Sequence, residues 1–154
     1  MVKLRQLTGY NLGIISKIVG GDYNRHGVSN IGATLGKLLQ GESVPKGVEF
    51  FAIYHGNDFV GVRYIRPQEE GVETGVWILP HQRKRGYATD SLKALIEIMQ
   101  AEYACVGYKK IFIYVDKAKN PHACIPAIRC GFTEKGIAEN DNGSQFAIFV
   151  LQLY

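Results

Sequence analysis

The chain has 154 residues, 46% of them hydrophobic and 21% charged, the balance of one compact globular domain. Eighteen Lys plus Arg against fourteen Asp plus Glu leave a net charge of +4, enough for one anionic ligand and short of the basic coat that nucleic-acid binding requires. No apolar run approaches the roughly 18 residues of a membrane span, and Met1-Val2-Lys3-Leu4-Arg5 opens no signal-peptide core, which points to the cytoplasm. Cys105, Cys124 and Cys130 lack CxxC spacing and His26, His55, His81 and His122 are scattered, so neither a disulfide framework nor a metal site is expected.

Residues 2–7 read as a first strand. Thr8 can cap a helix carrying Leu12, Ile15, Ile18 and Val19, ended by Gly20-Gly21. Ser29 or Asn30 can cap a second, in which Ile31, Leu35, Leu38 and Leu39 form a stripe stopped by Gly41. The period then drops to two. Residues 48–54 and 59–65 are β-branched and aromatic, and Gly56-Asn57-Asp58 between them predicts a hairpin. Residues 66–71, with Pro67, read as a turn, and residues 72–79 as a third strand that Pro80 stops by removing the next backbone donor.

A long helix follows, with Ala88, Leu92, Leu95, Ile96 and Met99 on one face and Asp90, Lys93, Glu97 and Gln100 elsewhere. Residues 110–115 form a short, nearly all-apolar strand of the kind buried on both sides, so strand, helix and strand predict a parallel crossover. A short helix over 120–129, kinked at Pro126 and closed by Gly131, precedes a final hairpin of 132–139 and 145–153 around Asn140-Asp141-Asn142-Gly143. The order β-α-α-β-β-β-α-β-α-β-β is α+β. It predicts a three-layer α/β/α domain over residues 1–154 around a mixed, mostly antiparallel sheet.

The segment richest in chemistry runs from Trp77-Ile78-Leu79 through Pro80-His81-Gln82-Arg83-Lys84-Arg85-Gly86 to Tyr87-Ala88-Thr89, a strand leading through a basic loop into a helix N-terminus. First-turn amides lack intrahelical partners and the helix dipole adds positive potential, so such a junction receives phosphate. Gly86 admits the phosphate to the backbone, Ala88 keeps the helix start close, Thr89 offers a hydroxyl, and Arg83, Lys84 and Arg85 supply charge. The competing reading is a solvated basic loop with Gly86 as a simple turn residue. Neither GxxxxGK[ST] nor GxGxxG is present, so the commoner nucleotide loops are excluded.

Arg83-Lys84-Arg85-Gly86-Tyr87-Ala88 resembles the [QR]xxGx[GA] loop of the GNAT N-acetyltransferase superfamily. So does Asn120-Pro121-His122-Ala123 leading to Cys130-Gly131-Phe132, which matches that family's Asn before a short helix ending in Gly-Phe. The pattern is closest to the ribosomal-protein N-terminal acetyltransferase branch. The resemblance implies acetyl-CoA in an opening between the strand before the loop and the strand after the helix. Its pantetheine would pair with backbone of Trp77, Ile78 and Leu79, splayed by a β-bulge near Trp77 that aims an N–H at the thioester, and its diphosphate would sit on the amides of Arg85 to Ala88. Asn120 would reach the pantetheine, or cap its helix instead.

Direct transfer to an amine, either a protein or peptide N-terminus or a small molecule, then needs a base or water relay. Glu73 and Glu70 stand as candidates near the start of the strand, each also readable as a solvated hairpin residue, with Tyr64 and His55 behind them. Many relatives carry a tyrosine acid seven residues after the Asn, and that position is Ala127 here. The gap leaves a second reading, a CoA-binding module without turnover. No nucleic-acid or membrane partner is expected, and an exposed strand or helix face leaves room for a homodimer.

Overall fold

The computed structural model describes residues 1–7, 46–139, 141 and 143–154. The two helices expected after Thr8 and after Ser29 or Asn30 lie outside the described residues, as do Asn140 and Asn142 of the last turn. The rest is built on one seven-stranded sheet. Its strands are β1 (Val2–Gln6), β2 (Glu49–His55), β3 (Asp58–Gln68), β4 (Gly71–Ile78), β5 (Lys110–Val115), β6 (Thr133–Glu139) and β7 (Gln145–Gln152). They lie in the order β1-β2-β3-β4-β5-β7-β6. Helix α1 (Tyr87–Ala101) makes the crossover from β4 to β5, and α2 (Cys124–Arg129) follows a 3-10 turn over Pro121–Ala123. The β4–β5 pair is parallel and every other pair antiparallel, as expected of a mixed sheet.

The expected turn at 66–71 is shorter than its composition suggests. β3 continues through Pro67 to Gln68, and Pro67 pairs with Val72 of β4. The ladder to β2 has already ended at Glu49 opposite Ile65, so the missing proline N–H removes no bond on that side. Pro126 falls in the first turn of α2, where its N–H would lack an intrahelical partner in any case.

Each face of the sheet carries its own core. Leu92, Leu95 and Met99 of α1 are fully buried against Phe51, Ile65, Val72, Ile111, Phe149 and the small Ala127 of α2. Alternation sends Phe50, Ala52, Val62, Tyr64, Trp77 and Leu79 to the opposite face, where they form a separate cluster with Leu7 and Val48.

The sheet is two smaller sheets in light contact. β4 follows β3 in unbroken register from Gly71 to Ile78, and β5 follows β7 over its whole length. β4 and β5 share only Gly71–Lys110, Val72–Ile111 and Glu73–Phe112. Past those pairs the two halves diverge along their own twist. The one-residue register shift near this end is in β3, between Ile53 and Tyr54 of its partner, rather than in β4 at Trp77. The expected bulge near Trp77 is therefore absent, and the opening comes from the parallel ladder stopping.

Leu95 sits at the centre of the helix-side core with no exposed surface. Leu95→Ala should lower unfolding free energy by about 2–5 kcal/mol, read as a shift in the urea midpoint at unchanged m-value.

Candidate active site

The opening between β4 and β5 has a closed end, two walls and a mouth. Glu73 and Phe112 form the last pair at the closed end. Thr74 to Ile78 on one side and Ile113 to Val115 on the other have no partner across the gap. Leu79 donates its N–H to Val60 O at 2.9 Å, toward β3. Alternation along a regular ladder then turns the backbone groups of Val76 and Ile78 away from β3, into the opening. Of the expected Trp77, Ile78 and Leu79, only Ile78 thus offers backbone to the gap, and Val76 was missed. The Trp77 side chain is buried on the far face, its indole N–H without a partner among the described residues.

The mouth is the loop into α1. Pro80–Gln82 form a 3-10 turn, and Arg83 Nε donates to Ile78 O at 3.0 Å, tying the loop back to the end of β4. Lys84 and Gly86 both adopt left-handed backbone, with φ 63° and 83°. Gly86 is the N-cap of α1 and can offer no side-chain acceptor, so the first-turn amides of α1 stay uncapped by any side chain. Nothing lies within 4 Å of where a Gly86 Cβ would stand. Open space over uncapped amides in a left-handed turn is the arrangement that accepts an anion. Lys84 and Arg85 are exposed around it, Tyr87 and Ala88 are half-buried, and Thr89 is buried. His55, from the β2–β3 turn, packs its ring 5.2 Å from that of Tyr87.

Across the mouth, Asp116 Oδ1 accepts the N–H groups of Ala118 and Lys119, each at 3.1 Å, and so shapes the turn that delivers Asn120. Asn120 is exposed and stands at the N-cap position of the 3-10 turn, where its side chain makes no capping bond. Ala127 lies wholly inside the core and carries no group that could donate a proton.

At the closed end the structure joins two of the three expected catalytic residues. Tyr64 of β3 lies over Gly75 of β4 and donates its hydroxyl to Glu73 Oε2 at 2.7 Å. A Cβ on Gly75 would stand 2.5 Å from Tyr64 Cε1 and 2.8 Å from its hydroxyl, so the bare glycine is what lets the ring in. Arg66 donates to Glu73 Oε1 and forms an ion pair with it. Both groups are buried, Glu73 at 8% exposure and Tyr64 at 7%. Burial, then the Glu73 charge and hydrogen bond, push the Tyr64 phenol well above its ordinary range, with Arg66 and Arg63 opposing.

On β5, the Tyr114 hydroxyl exchanges hydrogen bonds with the Gln68 side chain, at 2.7 and 3.1 Å. Its phenol is also raised, by burial and then by the Glu73 charge. Arg66, Gln68, Gly75 and Tyr114 escaped the sequence reading. Only Gly75 left a signal, as a lone glycine in a β-branched strand where another group must approach closely.

Glu70 does not join this group. It occupies the β3–β4 turn in left-handed backbone, φ 67°, and its exposed carboxylate binds Lys110 Nζ at 2.8 Å. Lys110, by hydrogen bond and then by charge, holds that carboxyl below its usual range. Glu70 therefore clasps the start of β4 to the start of β5.

Among the described residues no three His, Cys, Asp or Glu gather into a group able to hold a metal ion. None of the described helices is long and apolar enough to cross a membrane.

The sequence matches the Acetyltransferase (GNAT) family over residues 18–132. No curated protein matches the chain. Among solved structures, the fold is similar to spermidine N-acetyltransferase from Vibrio cholerae in complex with CoA and spermine, at TM-score 0.71 and 16% identity, covering 99% of this chain and 95% of that one. It is also similar to RimL, a ribosomal L7/L12 alpha-N-protein acetyltransferase in complex with coenzyme A, at TM-score 0.77 and 15% identity, covering 98% and 93%. Likeness at that identity speaks for the fold, and the family match rests on the sequence itself. The chain belongs to the GNAT acetyltransferase family, as an N-acetyltransferase that takes its acetyl group from acetyl-CoA.

Proposed function

We propose that the chain acetylates an amine, the terminus of a protein or peptide or a small molecule, with Glu73 and Tyr64 as its proton-handling pair. The single observation that carries this reading is the placement of that pair at the closed end of the β4–β5 opening. From Ile78 at the mouth to Glu73 is five residues of strand, about 17 Å, so a pantetheine arm laid along β4 from a diphosphate at Gly86 brings its thioester toward Gly75 and Tyr64.

In this reading the amides of Arg85, Gly86, Tyr87 and Ala88 receive the diphosphate, with Lys84, Arg85 and the outer edge of Arg83 adding charge. Val76 and Ile78 pair with the arm as an added strand would, and Asn120 meets it from the other wall. The Val76 N–H, aimed into a gap between two strands, is the donor for oxyanion charge developing on the thioester carbonyl. As the neutral amine attacks, its proton passes to the Tyr64 oxygen while the phenol hands its own proton to Glu73. Arg66 fixes the second Glu73 oxygen so that the first stays aimed at Tyr64. The acetyl–sulfur bond breaks, the thiolate leaves, and it takes up a proton from solvent. A thiol is a good leaving group, which fits a site with alanine at 127.

The same reading carries a cytoplasmic setting, supported by three unpaired cysteines. It also carries a homodimer through the outer edge of β6, where Ile137 is 70% exposed. Sedimentation should show a dimer that Ile137→Lys dissociates, and a monomeric wild type removes that part of the reading.

Glu73→Gln should lower kcat by about 10²–10⁴, measured as coenzyme A thiol release with a panel of amines, while calorimetric binding of coenzyme A stays as in the wild type. Binding with no release from any amine in the wild type would leave a CoA-binding module instead.

Gly75→Ala should push the Tyr64 ring off Glu73 and lower turnover as far as Tyr64→Phe does, and the double variant should be no slower than either. The two should also share a pH signature. The folded Tyr64 phenol titrates above its unfolded value of 10.0, so the stability it contributes is complete below that pH and is lost as pH rises through the folded value. Thermal melts of Tyr64→Phe should fall less steeply than wild type above pH 10.0.

A further inference from the structure

Arg63 is the largest fully buried side chain among the described residues, at 2% exposure, and its partners are all neutral. Its Nε donates to Ser91 Oγ at 3.0 Å, Nη1 to Thr74 Oγ1 at 3.0 Å and Nη2 to Ala88 O at 3.1 Å. No described carboxylate forms an ion pair with it. Buried arginines are ordinarily paired, because an uncompensated charge in a low-dielectric interior is strongly unfavourable. Desolvation pulls the guanidinium down to about 10, which leaves it a full cation at neutral pH.

The position of that charge is informative. Thr74 is the first residue of β4 beyond its last pair with β5. Ala88 and Ser91 belong to the first turns of α1. The guanidinium therefore lies beneath the uncapped helix end, joined both to it and to the strand wall of the opening. A sequence otherwise apolar from Phe59 to Ile65 carries this one charge, on the face that α1 covers. A neutral residue of similar length could fill the space. A cation there does something more: it adds a field, weakly screened, directed at whatever occupies the helix end.

We propose that Arg63 is a positioning residue whose buried charge is balanced by the diphosphate of coenzyme A at the α1 N-terminus, so that donor recognition extends one layer below the loop. The inference rests on the proposed seat of the diphosphate at Gly86, and its test separates the two. The measurement is kcat/KM for acetyl-CoA against that for S-acetylpantetheine, which has the same arm and thioester but no diphosphate. The wild type should prefer acetyl-CoA. Arg63→Met should lower kcat/KM for acetyl-CoA about tenfold or more and leave that for acetylpantetheine unchanged, cutting the preference by the same factor through the loss of one charge interaction. Arg63→Lys, which keeps the charge and loses the fork, should melt lower yet retain the preference.

Equal losses on both donors in Arg63→Met would mean a brace and nothing more, and overturn the proposal. If Arg63→Met does not fold, loss of the preference in Arg63→Lys overturns it alone. A wild type with no preference between the donors removes the diphosphate seat itself, and the inference with it.

Discussion

Three residue pairs join β4 to β5, and the site depends on their stopping there. A parallel ladder pairs every backbone group it spans, so an opening in one must come from strands that hold better partners elsewhere. β4 is bound along its length to β3 and β5 to β7, and neither can turn toward the other without breaking a longer ladder. The gap is thus a stable feature of the sheet. It leaves the unpaired polar edge of a strand inside a folded domain, which a ligand with its own amide groups can complete. It also keeps the two walls in a common frame, since Glu70 and Lys110 clasp them just beyond the pairs that remain.

Much of this was legible in the chain because it rests on local signals. Periodicity placed the strands and α1, Pro80 marked the end of β4, and Gly86 marked the loop that leads into α1. The features that were misread involve register. Whether 66–71 is a turn or a strand end depends on where β2 stops, a fact about a different element. Likewise Glu73 and Glu70 are the same residue type only three positions apart, yet one points across the sheet to Tyr64 and Arg66 and the other sits in the turn against Lys110. Composition does not separate them. Pairing does, because the Arg66–Glu73 register sets both residues on the same face as Tyr64 and Gly75.

The closed end shows how a buried carboxylate is kept usable. Glu73 lies among aromatic and apolar neighbours, where an isolated charge would be strongly penalised, and it is held by Arg66 on one oxygen and Tyr64 on the other. In the proposed reading the second contact is the productive one. It keeps the phenol protonated, so that in the proposed reading a proton arriving at the phenol has an acceptor already in hydrogen-bond contact. A tyrosine alone, with its phenol raised this far, would be a poor base. Coupled to a carboxylate it can relay a proton without ever becoming a free phenolate.

Two arginines three residues apart on β3 divide the electrostatics of the site by the faces of the sheet. Arg66 emerges on the face of Tyr64 and meets the carboxylate at the closed end, while Arg63 emerges beneath α1 and meets only neutral groups. Among the described residues one cation is matched by a carboxylate and the other is not. In the proposed reading the sheet separates a proton-handling side from a phosphate-handling side, and the anion that completes the second is brought by the donor. Gly75 and Gly86 serve these two sides in the same way, each by withholding a side chain, the first so that Tyr64 can reach Glu73 and the second so that the helix end stays open.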